Sequence, residues 1–166
     1  NPAVRELELF VTPRNFALAN LTDNDRVATN SAFGQGALLD AISVGAINAS
    51  DPGNDTIANY SNQGTSTIYT NFVSQANTLR NSLDGAGIDA VQTRIGQLGF
   101  FRNPFSGTSA AAQHIAAIAA LMLEANPHLT PAQTASVLNA TAVDIGATGY
   151  DNLSGFGRFD ALAAVQ

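Results

Sequence analysis

Gly107-Thr108-Ser109-Ala110-Ala111-Ala112-Gln113-His114 sets a tight Gly-Thr turn before a serine, and a long apolar run, Ala110 to about Ala125, after it. The run predicts a helix that opens at Ser109. A hydroxyl there stands at the positive end of the helix, beside backbone N–H groups with no intrahelical partner. Such N–H groups can hold a developing oxyanion, so the position suits a nucleophile. Serine and threonine are also favoured as plain helix caps. On the serine alone, the cap is the simpler reading.

The neighbours of Ser109 carry more. Asn103-Pro104-Phe105-Ser106-Gly107-Thr108-Ser109-Ala110-Ala111-Ala112-Gln113-His114-Ile115-Ala116-Ala117 resembles the nucleophile motif of the subtilases, the subtilisin-like serine peptidases. That motif reads Gly-Thr-Ser-x-Ala-x-Pro-His-(Val/Ile)-(Ala/Ser)-(Gly/Ala). Only its proline is replaced, by Gln113. The resemblance runs from about Thr29 to Val165. Ala41-Ile42-Ser43-Val44-Gly45-Ala46-Ile47-Asn48 is similar to a family strand. Its apolar, β-branched character also fits a buried parallel strand in its own right. Gly45 inside it marks a place where something must approach the backbone closely. Tyr60-Ser61-Asn62-Gln63-Gly64 resembles the family's Phe-Ser-x-x-Gly loop. Ser82 to Thr93 is similar to the segment Lys-Pro-Asp-Ile-x-(Ala/Gly)-x-(Gly/Asp)-Gly-Val-x-Thr, with Ser82 and Leu83 at the Lys-Pro positions and Gly85 at the Ile. Gly155-Phe156-Gly157-Arg158-Phe159-Asp160-Ala161 resembles the end of a subtilase catalytic domain.

This resemblance implies an α/β fold. The expectation is a partial subtilisin-like three-layer arrangement, with a mostly parallel sheet and a buried central helix starting at the nucleophile serine. It also implies that Ser109 is the nucleophile, that Gly107 and Thr108 form its turn, and that the Ser109 N–H is an oxyanion donor. The family mechanism needs an Asp-His pair from earlier strands and an oxyanion Asn from an Ala-Gly-Asn motif. Those motifs do not occur in this sequence.

His114 is a candidate base in this chain. It stands five residues after Ser109, about 7.5 Å along a regular helix and about 140° around it. A direct hydrogen bond is then out of reach, and the resemblance makes His114 a packed helix residue. His128 lies beyond the helix, on the order of 28 Å from Ser109, and reads as a surface loop histidine.

The rest of the chain divides as residues 1–28, a strand and polar loop, and residues 29–166, the subtilase-like part. Glu6 to Thr12 alternates polar and apolar residues and reads as a half-buried strand ended by Pro13. It resembles a remnant of an inserted β region found in some large bacterial subtilases. Thr65 to Val73 is β-branched and aromatic and reads as a strand. Thr130-Pro131-Ala132-Gln133 carries a cap, an N1 proline and a capping-box glutamine, and predicts a helix to about Ala142. A short helix closes the chain.

Composition narrows the function further. The chain has 166 residues, enough for one domain with a core, and a net charge of −6. All seven basic residues are arginine, with no basic stripe to neutralise phosphates, so nucleic acid is not expected as a partner. The most apolar stretch, Ile115 to Leu123, is about half of what a bilayer requires, so no membrane partner is expected. With no cysteine there is neither a thiolate nucleophile nor a Cys-based zinc site. No cofactor or metal is expected. Asp51, Asn54 and Asp55 could bind calcium, although the loop lacks the ligand spacing of an EF-hand. A chain opening Asn1-Pro2 could have lost a signal peptide, which favours an extracellular or periplasmic location. Triplets such as Asn48-Ala49-Ser50 are compatible with glycosylation.

Three functions stay open on the sequence. One is a serine hydrolase acting on a peptide or ester substrate through Ser109, with weak esterase activity for the chain alone. The second is a non-catalytic fragment or pseudo-enzyme serving as a binding or assembly module. The third is a small-molecule binding domain with an incidental serine. A half-sheet with an uncovered helix face predicts a homo-oligomer or association with a missing N-terminal half.

Overall fold

The computed structural model describes residues 34–71, 76–99 and 102–166. The expected Glu6–Thr12 strand and the whole of residues 1–28 lie outside the described residues. A short 3-10 helix, Gly34–Ala37, comes first. Among the described residues, four strands follow: β1 (Val44–Asn48), β2 (Ser66–Asn71), β3 (Ala76–Arg80) and β4 (Gly85–Asp89). The helices come after them: α1 (Arg94–Gln97), α2 (Thr108–Ala125), α3 (Pro131–Ala140) and α4 (Ala161–Val165).

β1 and β4 pair in parallel, with Val44 opposite Gly85 and Asn48 opposite Asp89. β2 and β3 form a separate antiparallel hairpin with an irregularity between Tyr69 and Asn71. The predicted strand over Thr65–Val73 is thus β2. Its return strand β3 has no alternating pattern to announce it.

Alternation along the parallel pair sorts the core. Val44 joins the cluster of Ile115, Met122, Leu138, Phe159 and Ala164 under the helices. Ile47, Ala86 and Ile88 pack on the other face with Ile57 and Ile145. Among the described residues, helices cover one face of the sheet, and the loop bearing Ile145 covers the other. The glycines of β4 make the helix side work. A Cβ on Gly87 would lie 3.0 Å from both the Ala111 carbonyl oxygen and Ile115 Cδ1, and one on Gly85 would lie 2.6 Å from the Phe159 ring. The backbone itself is the packing surface there. Gly45 has the close neighbour its place in the strand implied, since a Cβ would stand 2.8 Å from Ser61 Oγ.

α2 buries Ala110, Ala111, Ile115 and Met122 against the sheet. Its opposite face is exposed along Gln113, Ala116, Ala117, Ala120, Leu121 and Glu124. Among the described residues, the burial of the central helix is therefore one-sided. α3 starts as its sequence specified: Thr130 accepts from the Gln133 N–H, the Gln133 side chain accepts from the Thr130 N–H, and Pro131 is the first helical residue. Among the described residues, no helix is long and apolar enough to cross a membrane.

Candidate active site

The carboxyl end of β4 sets the position of the Ser109 turn. Just past the strand, Val91 and Phe105 exchange two backbone hydrogen bonds, of 3.1 and 2.9 Å. This lays the approach segment beside the strand end and delivers Gly107 to Asp89. The Gly107 N–H donates to Asp89 Oδ2 at 2.7 Å. Gly107 itself has φ 119° and ψ 165°, a region that is essentially glycine-only. α2 starts at the next residue.

Gly107, not Ser109, is the N-cap of α2, and it supplies no side-chain cap. Ser109 is the second residue of the helix, so the plain-cap role is not the one it fills. The Gly107 carbonyl accepts from Ala110 N at 2.9 Å and from Ala111 N at 3.3 Å. Among the described residues, the Ser109 N–H has no such partner and the Ser109 Oγ makes no hydrogen bond. Ser109 is exposed, and Thr108 is half-buried beside it. The arrangement offers a free hydroxyl and a free N–H at the positive end of an 18-residue helix.

Asp89 is the least expected member of this site. It is 0% exposed. Besides the Gly107 bond, its Oδ2 accepts from Tyr60 Oη at 2.5 Å. Its other oxygen, Oδ1, is buried with no hydrogen-bond partner among the described residues. The Tyr60 phenol is pushed up to about 12, first by burial, then by its hydrogen bond to the Asp89 carboxylate and by that group's charge. Half of the Tyr60 surface is exposed, but the hydroxyl is the end turned inward. Asp89 falls on the Gly/Asp position and Tyr60 on the aromatic position of the segments quoted above, but nothing in the sequence signalled that they pair. Asp89 lies 29 residues from Tyr60 and 18 from Gly107.

The histidines go elsewhere. His114 Nδ1 lies 2.7 Å from the Ile88 carbonyl oxygen. A carbonyl accepts only, so Nδ1 carries the proton. The hydrogen bond ties the flank of α2 to β4, and none joins His114 to Ser109 among the described residues. His128 is exposed beyond the end of α2, where its backbone N–H donates to Asn126 Oδ1 at 3.2 Å. Asp51 closes its own turn, with Oδ2 accepting from Asp55 N at 2.9 Å and Thr56 N at 3.1 Å. Among the described residues, no group of three or more His, Cys, Asp or Glu side chains gathers in a way that could hold a metal ion.

The family model described as Subtilase family matches residues 15–157. An extracellular serine protease of Serratia marcescens is 40% identical over 61 residues, covering 37% of this chain and 6% of that protein. Mycosin-1 of Mycobacterium tuberculosis is 41% identical over 81 residues, covering 49% of this chain and 17% of that protein. Among solved structures, a protease from Pseudoalteromonas arctica superposes with a TM-score of 0.55 at 26% identity, over 82% of this chain and 39% of its own. MycP1 from Mycobacterium smegmatis gives 0.51 at 26% identity, over 75% of this chain and 29% of its own. The matched part thus spans 6% and 17% of the length of these two curated relatives.

Proposed function

Because the chain belongs to the subtilase family, we propose that it is the nucleophile-bearing part of a serine hydrolase, with Ser109 as the attacking group. One observation carries this reading: Ser109 is exposed at the start of α2, and among the described residues neither its hydroxyl nor its N–H has a hydrogen-bond partner, on a turn whose cap is Gly107. In the reaction, Ser109 Oγ attacks the carbonyl carbon of a peptide or ester and gives up its proton to a base. The Ser109 N–H donates to the oxyanion that forms. The bond to the leaving group breaks, the acyl group stays on Oγ, and water later releases it as an acid.

Among the described residues, no base forms a hydrogen bond with Ser109. His114 keeps a free Nε2, but its hydrogen bond runs from Nδ1 to the Ile88 carbonyl and none reaches Ser109 among the described residues, which supports a base and its orienting carboxylate brought from outside this segment. The exposed outer face of α2 supports the same reading, as a surface on which a further polypeptide segment or a second copy rests. Taken alone, the chain keeps the oxyanion donor and the positioned hydroxyl, which leave residual catalysis over water. Activated esters need less help than amides, so the chain alone is a weak esterase rather than a peptidase. Its extracellular and secretion-system relatives support work outside the cytoplasm.

The lack of a hydrogen bond between His114 and Ser109 among the described residues also favours a second reading, a non-catalytic module that binds peptide. The two part on one experiment. With p-nitrophenyl acetate, the hydrolase reading predicts a p-nitrophenolate burst approaching one equivalent per chain and absent in Ser109→Ala. A burst of equal size in the variant rejects Ser109 as the nucleophile. Peptide binding without any burst supports the module.

A further inference from the structure

Asp89 is an expensive residue to place where it is. A buried carboxylate is costly to desolvate unless each oxygen is well satisfied, and among the described residues one oxygen here is not. Its satisfied oxygen takes two donors, Tyr60 Oη and Gly107 N. Gly107 is in turn the residue held at φ 119°, and its carbonyl receives the first two backbone hydrogen bonds of α2. Glycine reaches this conformation without strain but leaves it as readily, so the turn stays in it only where its surroundings hold it. The charge-assisted bond from Gly107 N is the contact that holds this one. The positive end of α2 lies against the same carboxylate and offsets part of its burial cost.

We infer that Asp89 is a positioning residue for the nucleophile: its Oδ2 clasps Gly107 N in the conformation that aims the Ser109 hydroxyl and N–H, while Tyr60 Oη braces the carboxylate from the other side. The inference rests on the reading of Ser109 as nucleophile, and it deepens that reading by naming what orients the serine. Asp89 touches no reacting atom. Its effect runs through one backbone bond two residues before Ser109. A side chain keeping an acceptor oxygen at that point therefore keeps the function, and one without it does not.

Two measurements on the 166-residue chain test this, with Asp89→Ala, Asp89→Asn and, as a control of comparable lost stability, the core truncation Leu138→Ala. The first is the rate of covalent labelling of Ser109 by a fluorophosphonate against probe concentration. Asp89→Ala is expected to lower the limiting rate about tenfold or more with half-saturation unchanged. Asp89→Asn is expected to stay within about threefold of the parent, and Leu138→Ala to label like the parent at a temperature where it is folded. Labelling of Asp89→Ala at the parent rate, or losses in Asp89→Ala and Leu138→Ala that simply track stability, would overturn the inference. The second is hydrogen exchange of the Gly107 amide by NMR, which does not depend on any labelling. Exchange is expected to speed up about tenfold or more in Asp89→Ala and to remain slow in Asp89→Asn. Unchanged protection in Asp89→Ala overturns the clasp even if Ser109 labels well. A chain that never labels but shows this exchange pattern retains the clasp and rejects the nucleophile.

Discussion

Replacing Gly87 by alanine would set a methyl group 3.0 Å from the Ala111 carbonyl oxygen and 3.0 Å from Ile115 Cδ1. Backbone cannot yield there without lifting α2 from the sheet. The substitution is expected to destabilise the fold by about 1–3 kcal/mol, read from urea unfolding, and a neutral result would show that α2 rides more loosely on β4 than these contacts imply. Tyr60 gives a second test at this scale. Its phenol is raised from the ordinary 10.0 to about 12. A group whose folded value is raised contributes stability that is fully present below the unfolded value, here below pH 10.0, and lost as pH rises through about 12. Ultraviolet titration of the parent against Tyr60→Phe isolates this phenol, and Asp89→Asn is expected to move it back toward its ordinary value. A Tyr60 titration unaffected by Asp89→Asn would break the link between the two side chains. The residues fell on positions of the resembling segments, but the contacts themselves were not legible in the sequence, because each joins residues that are distant along the chain.

α3 and β4 stand at opposite ends of what local sequence can say. The α3 start was legible because cap, proline and glutamine lie within four residues and act on one another directly. Thr130→Ala, which leaves the Gln133 N–H without its acceptor, is expected to cost about 1 kcal/mol. Retained thermal stability would mean that α3 is held by Leu138 and its neighbours alone. β4 could be placed through the family resemblance but not from its composition, because Gly85-Ala86-Gly87-Ile88-Asp89 lacks the β-branched residues that mark a strand. Its glycines are selected by Phe159 and Ile115, which the sequence does not bring near. Asp84, just before β4, tests the strand's other end. Its Oδ2 accepts from Ser43 N at 2.7 Å. Burial pushes its carboxyl up, against the Ser43 hydrogen bond, the Arg80 charge and the Asn139 side chain. Its contribution is therefore fully present below the ordinary value of 3.8 and lost as pH rises through the raised one. Asp84→Asn keeps an acceptor for Ser43 and carries no charge. It is expected to hold or raise stability at neutral pH and to flatten the stability profile just above 3.8. A marked loss at neutral pH would mean that the charge itself holds the strand ends together.

For the whole molecule, the decisive feature is an α2 that faces the sheet on one side and solvent on the other. Its composition is apolar almost all round, which reads as a helix buried on every side. The exposed Ala116, Ala117, Ala120 and Leu121 show where the local pattern asks for a neighbour that the described residues do not provide. Sedimentation is expected to show self-association that Ala117→Glu reduces. A monodisperse monomer in both would mean that this face is tolerated in water. The fold could be read from the sequence wherever the signal was a contiguous motif, as around Gly107-Thr108-Ser109. The site could be read only as far as its nucleophile turn, since Asp89 and Tyr60 join it through tertiary contacts. The central claim is that Ser109 is a nucleophile poised by its turn, and intact mass after incubation with a fluorophosphonate tests it most directly. The account predicts a single adduct on the folded parent chain and none on Ser109→Ala. An adduct that persists in the variant, or no adduct on a folded parent, would contradict it.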